Sequence, residues 1–300
     1  MRGRFAPSPT GDLHLGGAYV ALAAWLSTRA QGGTFVVRME DLDPPRVVAG
    51  AAERILDDLA WLGIDWDEGP RVGGPHGPYE QSRRDERYAA AIARLDAQGL
   101  VYPCTCTRAE IARASSAPHA GEEGPRYPGT CRDPKNRRHD RPAAMRLRVP
   151  ERVISFVDEI AGEHREDVAA TVGDFVLRRA DGVASYQLAV VVDDREMHID
   201  EIIRGDDLLP STARQILLAE LLGFSEATRW IHLPLVVGPD GERLAKRHQS
   251  KYRGSTIAEL REAGLPAGEI VDVLASAFDS RTRPRRSAPF RVPEQWVKPR

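Results

Sequence analysis

The chain has 300 residues, 42% of them hydrophobic and 29% charged, with a formal net charge of −2. This composition suits a globular chain long enough for two domains and excludes a disordered or collagen-like one. Near-neutrality also excludes a generic polyanion binder, so any nucleic-acid contact must come from local basic patches.

The first segments alternate between two periodicities. "GRFAP" predicts a short strand, and "AYVALAAWLSTRA", apolar on nearly all faces, a buried helix stopped by Gly32 and Gly33. "TFVVRME" predicts a second strand, which the prolines of "DLDPPR" end. "AGAAERILDDLAWLG" places Ile55, Leu59 and Leu62 on one helical stripe, and a further amphipathic helix covers 83–98 with Tyr88, Ile92 and Leu95 inward. Strand, helix, strand, helix is the opening of a parallel α/β layer.

From about 100 to 192 the pattern changes to an α+β insertion. "VYPCTCTRAEIARA" leads into a Gly/Pro/Ser/Arg-rich loop over 115–142, and "AAMRLRVP" and "VISFVDEIAG" predict antiparallel strands. "FVLRRADGVASYQLAVVVDD" predicts a hairpin turning at Asp181-Gly182. "MHIDEIIRGDDLL" then returns to the buried-strand pattern. It is followed by the helix "TARQILLAELLG", in which Thr212 and Gln215 have capping-box spacing. "IHLPLVV" predicts a strand, "GPDGERLAKRHQS" an exposed loop, 255–279 helix, and the Pro/Arg-rich end an extended or disordered tail.

Two segments are basic. Residues 126–148 carry Arg126, Arg132, Lys135, Arg137, Arg138, Arg141, Arg146 and Arg148 against Asp133 and Asp140. The tail from 281 carries seven Arg or Lys against Glu294. Either is a solvated loop or a polyanion contact. No apolar run approaches the ~18 residues of a membrane span, and "MRGRFAPSPTG" lacks the apolar core of a signal peptide. The three cysteines, Cys104, Cys106 and Cys131, make a poor disulfide framework and suit a cytoplasmic chain with a metal site. Structural zinc prefers four ligands, so a fourth is needed from Tyr127, His119 or His139. A phenol must lose a proton of pKa near ~10 to ligate, which favours a histidine on chemistry alone.

"SPTGDLHLGGA" stands where the first strand meets the first helix. In an open α/β sheet ligands bind outside the carboxyl ends of the strands, and a Gly-rich turn lets backbone approach a phosphate at the helix N-terminus. The segment is neither a P-loop nor a dinucleotide fingerprint. It has His14 before Gly16 and Gly17 instead, and an imidazole there can donate to phosphate oxygens.

"RFAPSPTGDLHLGGA" resembles the signature of class I aminoacyl-tRNA synthetases in its glutamyl form, with Gly17 where other members have a second His. "VRMEDLDPPR", "ASYQLAVVVDD", "IIRGDDLL" and "GERLAKRHQS" are similar to further blocks of that family, in the same order, from residue 4 to about 250. The Cys-x-Cys…Tyr…Cys insertion and the ~50 residues after the Lys loop resemble the glutamyl-queuosine tRNA(Asp) synthetases, which lack an anticodon-binding domain.

The resemblance implies an α/β fold: a Rossmann-like parallel nucleotide-binding sheet, interrupted by an α+β insertion and followed by a short helical C-terminal region. The expected parts are 1–99 and 193–250 for the two halves of the Rossmann domain, 100–192 for the insertion and 251–300 for the helical region and basic tail. It implies activation of L-glutamate with ATP without tRNA, then transfer of glutamate to queuosine in the anticodon of tRNA(Asp). The alternatives are a truncated glutamyl-tRNA synthetase charging a tRNA 3′ end and a non-catalytic, zinc-bearing RNA-binding paralogue. By resemblance, Arg4, Ser8, Glu40, Tyr186 and Arg204 match the glutamate pocket, and His14, Gly16, Gly17 and Lys246 the ATP site, with His14 and Lys246 catalytic. Physically, two guanidinium groups can take carboxylates and one acid an ammonium. The loop "RLAKR" departs from the family pattern at Arg243, Ala245 and Arg247 but keeps Lys246. The resemblance favours Tyr127 as fourth ligand of one structural Zn²⁺ beside Cys104, Cys106 and Cys131. Mg²⁺ is expected with ATP, and the chain is expected to be a cytoplasmic monomer with no membrane contact.

Overall fold

The structure is a computed structural model that describes residues 1–114, 126–224, 227–238, 244, 252–278 and 289–299. In chain order the elements are β1 (Arg2–Phe5), α1 (Leu15–Ala30), β2 (Thr34–Val37), α2 (Ala51–Trp61), α3 (Asp85–Asp96), β3 (Val101–Cys104), α4 (Arg108–Ala114) and β4 (Ala144–Leu147). Next come β5 (Val153–Asp158), β6 (Gly162–Asp167), α5 (Val168–Thr171), β7 (Val176–Arg178), α6 (Tyr186–Glu196), β8 (Glu201–Gly205), α7 (Thr212–Leu221) and β9 (Arg229–Leu233). The described residues end with β10 (Val236–Val237), β11 (Tyr252–Arg253), α8 (Ile257–Glu262), α9 (Ala267–Ser276), β12 (Phe290–Arg291) and β13 (Lys298–Pro299).

One six-stranded sheet, ordered β2-β1-β8-β9-β5-β6, forms the centre. Its first five strands pair in parallel and the β5–β6 edge is an antiparallel hairpin. Phe35, Val36 and Val37 of β2 are all buried, the pattern of a parallel strand covered on both faces. Helix α1 lies against β1 so closely that a Cβ on Gly3 would come within 2.0 Å of the Thr28 hydroxyl, which only glycine permits. Leu15, Leu22 and Phe35 sit in the same apolar cluster as Ile55 and Leu59 of α2. Each such side chain contributes about 1.5–3 kcal/mol when fully buried. The insertion has its own antiparallel sheet, β3-β4-β7.

Four expectations need correction. First, "VISFVDEIAG" is a strand but does not belong to the insertion's sheet; β5 joins the central sheet beside β9. Second, the hairpin over 175–194 stops almost at once. Its turn forms, with Val183 donating to Asp181, but only Arg178 and Ala184 bridge before α6 begins. Ser185 caps that helix by accepting from Leu188 N, and Leu188–Val192 are buried, so tertiary burial overrides the strand preference of three consecutive valines. Third, α7 has no capping box: Ser211 is its N-cap and makes no side-chain cap bond. The Thr212 hydroxyl accepts from Arg204 instead. Fourth, residues 289–299 are anchored. β12 pairs with β10, β13 pairs with β11, and Val292, Trp296 and Val297 are buried in the main core. Arg281, Arg283, Arg285 and Arg286 lie outside the described residues.

Candidate active site

The carboxyl ends of β1, β2 and β8 and the start of α1 open onto one cleft of about 520 Å³. Arg4, Ser8, His14, Gly16, Gly17, Glu40, Tyr186 and Arg204 all lie on its wall, together with Arg46, Asp207 and Leu244. Lys246 lies outside the described residues, as do Arg243, Ala245 and Arg247; Leu244 is the one described residue of that stretch.

At one end of the cleft the chemistry is backbone. His14 is the N-cap of α1, and its Nδ1 accepts from Gly17 N at 2.9 Å. With Nδ1 accepting, the neutral imidazole carries its hydrogen on Nε2. A Cβ on Gly16 would stand 3.2 Å from His14 Nδ1, and one on Gly17 3.0 Å from Leu13 Cδ1, so the two glycines let the ring lie on the helix start. His14 is thus a helix cap as well as a cleft residue.

At the other end the chemistry is buried charge. Arg4 Nε donates to Asp194 Oδ1 at 3.4 Å and its Nη1 to the Ile203 carbonyl at 3.1 Å. Its Nη2 edge has no protein acceptor among the described residues. Arg204 is bound more completely, to His232, Gln215, Thr212 and the Leu208 carbonyl. Arg38, fully buried, donates to Asp194 at 2.7 Å and to Glu40 at 3.2 Å. Burial would raise Asp194, but the charges of Arg38 and Arg4 hold it below the usual carboxylate range. Burial raises Glu40 against the pull of the same two arginines. Burial also lowers Arg204 and raises the Tyr186 phenol. Two buried cations, one acid and one phenol therefore face a common space, an arrangement suited to a small zwitterion with an extra carboxylate.

Sequence reasoning missed Arg38, Asp194, His232, Asp158, Thr212 and Gln215. The one available signal was charge inside apolar runs: Arg38 after "TFVV" and Asp193-Asp194 after "AVVV".

The second cluster lies in the insertion. Cys104 ends β3, and the Cys104, Cys106 and Cys131 sulfurs all lie within 4.8 Å of one another. Tyr127 Oη is 3.3 Å from Cys104 Sγ and 3.8 Å from Cys106 Sγ, and it accepts from Cys131 N at 2.8 Å. The Arg146 guanidinium stands 3.9 Å over the Tyr127 ring. Burial pushes the Cys106 thiol up to about 12. At Cys131 burial is outweighed by donated hydrogen bonds, led by the backbone N–H of Thr105, and the thiol falls to about 7. Zinc–sulfur bonds of about 2.3 Å put tetrahedral sulfurs roughly 3.8 Å apart, so three thiolates this close fit a metal such as zinc. His139 is not part of the group, and His119 lies outside the described residues.

A family model described as tRNA synthetases class I (E and Q), catalytic domain, matches residues 1–280. The chain belongs to the class I tRNA synthetases. This synthetase is 49% identical over 281 residues to a glutamyl-Q tRNA(Asp) synthetase of Nitratidesulfovibrio vulgaris, covering 92% of the chain and 85% of the relative. It is 52% identical over 280 residues to one of Symbiobacterium thermophilum, with 91% and 85% covered. Among solved structures, the glutamate-tRNA synthetase of Elizabethkingia anophelis superposes with a TM-score of 0.80 at 28% identity, covering 98% of this chain and 68% of that one. The synthetase is accordingly a ligase of the aminoacyl-tRNA synthetase type with an α/β fold. Among the described residues no helix is long and apolar enough to cross a membrane.

Proposed function

We propose that this synthetase activates L-glutamate with ATP in the absence of tRNA and then transfers it to queuosine in the anticodon of tRNA(Asp). The carrying observation is that the buried Arg4 and Arg204 and the half-buried Glu40 share the wall of one cleft with the start of α1. An α-carboxylate oxygen of glutamate attacks the α-phosphorus of ATP; the bond to the bridging oxygen breaks, and pyrophosphate leaves with that electron pair. Arg4 takes a carboxylate on its open Nη2 edge, Arg204 supplies a second cation, and Glu40 receives the ammonium. Tyr186 and Ser8 contribute hydroxyl donors. His14, through its Nε2 hydrogen, and the Gly16 N–H hold phosphate oxygens, Gly17, whose own N–H goes to His14 Nδ1, keeps the helix start free of a side chain, and Lys246 adds charge. Positioning and charge neutralisation carry such a step. When bound with ATP, Mg²⁺ supplies further neutralisation of the phosphates. The names of the relatives support the queuosine acceptor.

In this reading Cys104, Cys106, Cys131 and Tyr127 hold one structural Zn²⁺. Tyr127 Oη supports the fourth position because it touches two of the sulfurs. The reading further takes the protein as a cytoplasmic monomer whose Rossmann halves are 1–99 and 193–250, with 100–192 inserted except for β5 and β6, which join the central sheet, and 251–300 following.

Glutamate-dependent exchange of pyrophosphate into ATP, measured without tRNA, tests the first step. Exchange is expected; none without tRNA indicates an ordinary glutamyl-tRNA synthetase, and none at all a binding protein. Glutamate transfer should then require queuosine-containing tRNA(Asp) and vanish after periodate oxidation of the base. Equal charging of tRNA lacking queuosine overturns the acceptor.

A further inference from the structure

Arg204 and His232 are register partners on neighbouring strands β8 and β9. Arg204 Nε donates to His232 Nε2 at 2.9 Å. On its other side His232 Nδ1 lies 2.7 Å from Asp158 Oδ2. A guanidinium only donates, so His232 Nε2 must accept and the ring must carry its hydrogen on Nδ1, pointing at Asp158. Asp158 is itself held by three backbone N–H groups: Ile160 at 3.0 Å, Ala161 at 2.7 Å and His232 at 3.1 Å. Those of Ile160 and Ala161 belong to the β5–β6 turn. All three side chains are buried. Gln215 and Thr212, both on α7, take the Nη1 and one Nη2 bond of Arg204.

We propose that Asp158 and His232 are positioning residues that hold Arg204 in the orientation that meets the substrate carboxylate, so that the β5–β6 hairpin sets the affinity for the amino acid. The chain of bonds runs in one direction: turn N–H groups fix Asp158, Asp158 fixes the tautomer and plane of His232, and His232 fixes Nε of Arg204. Only one of Arg204's five N–H groups, on Nη1, then lacks a protein acceptor among the described residues, so the cation reaches the cleft as a single aimed donor. Buried between Asp158 and Arg204, with the Arg4 charge also nearby, His232 is pushed down to about 4, chiefly by burial, and stays neutral at ordinary pH. A neutral ring is what an acceptor for a guanidinium has to be.

The inference rests on Arg204 binding the carboxylate, and the test separates the two. In glutamate-dependent exchange, Arg204→Ala with an unchanged KM for glutamate refutes the binding role itself. With that role intact, His232→Asn keeps a donor for Asp158 but removes the acceptor for Arg204. It is expected to raise the KM for glutamate about tenfold, the usual scale for losing one bond to a charged group, with the KM for ATP unchanged. His232→Gln, whose Oε1 replaces Nε2, should recover most of the loss. A wild-type KM in His232→Asn, a parallel rise for glutamate and ATP, or equal impairment of the Asn and Gln variants would each overturn the proposal. Should His232→Asn not fold, nitrogen NMR of histidine-labelled wild type decides: a hydrogen on Nδ1 supports the proposal, and one on Nε2 ends it.

Discussion

The cysteine cluster and the cleft are built from opposite kinds of contact. Cys104, Cys106, Tyr127 and Cys131 come from one short stretch, and the Cys106–Cys131 sulfur contact spans only 25 residues. The cleft's charges are joined across the whole chain: Arg4 meets Asp194 and Ile203 over separations of 190 and 199 residues, and Arg38 meets Asp194 over 156. The first can therefore organise one local loop, whereas the second exists only when the whole central sheet has assembled. The comparison implies that damage to the cleft should show in activity and damage to the cluster in stability.

The largest effect is expected in the cleft. Arg204→Ala should lower glutamate-dependent pyrophosphate exchange about 10²–10³-fold or more, while circular dichroism stays that of the wild type. Unchanged exchange would break the comparison. Next, Cys104→Ser should release the metal, seen as loss of one zinc per chain by elemental analysis, and lower the melting temperature by several degrees. Exchange without tRNA should survive that substitution, and a metal-retaining variant would refute the ligand assignment.

A pH series sharpens the picture. Burial holds His232 near 4 in the folded chain against 6.5 for the free side chain, so the folded state binds fewer protons between those values. Its neutral form is favoured by folding. Stability is thus full above about pH 6.5, falls as pH drops toward 4 and levels below that, by up to about 3 kcal/mol in total. Asp158, where the bond from His232 and backbone N–H groups outweigh burial and hold the carboxyl below its ordinary 3.8, adds its own loss only at lower pH. Urea unfolding at pH 7 and 5 measures the slope, and His232→Gln should flatten it; an identical slope would remove His232 from the account. The smallest effect belongs to the exposed Arg54–Asp12 pair at the cleft rim, 2.6 Å apart. Arg54→Ala should change stability by no more than about 0.5 kcal/mol, as solvent screens such pairs.

Parts of the cleft are legible because they depend on neighbours in the chain. His14, Gly16 and Gly17 sit at a helix start, and a cap bond spans only three residues. Glu40 and Arg204 follow β-branched runs, Arg4 lies in the short strand before the glycine-bearing turn, and ends of parallel strands share one side of a sheet. The supporting groups were not legible. Thr212 has capping-box spacing with Gln215, yet both bond Arg204, since a buried guanidinium is a stronger claimant than a helix end that water or 3₁₀ turns can satisfy. Val190–Val192 favour a strand in isolation, yet they lie in α6 because that helix is buried on most sides.

By itself, the amino-acid order determined the alternation of β1, α1, β2 and α2, the glycine-bearing helix start and the grouping of three cysteines, all consequences of spacing within about 30 residues. Tertiary structure alone decided that β5 leaves the insertion to join the central sheet, that the last residues clasp β10 and β11, and that Asp158 and His232 stand behind Arg204. The physical reason is that buried charges choose partners by proximity in the folded core, where an unpaired ion is costly, and no local periodicity encodes which strand will lie alongside.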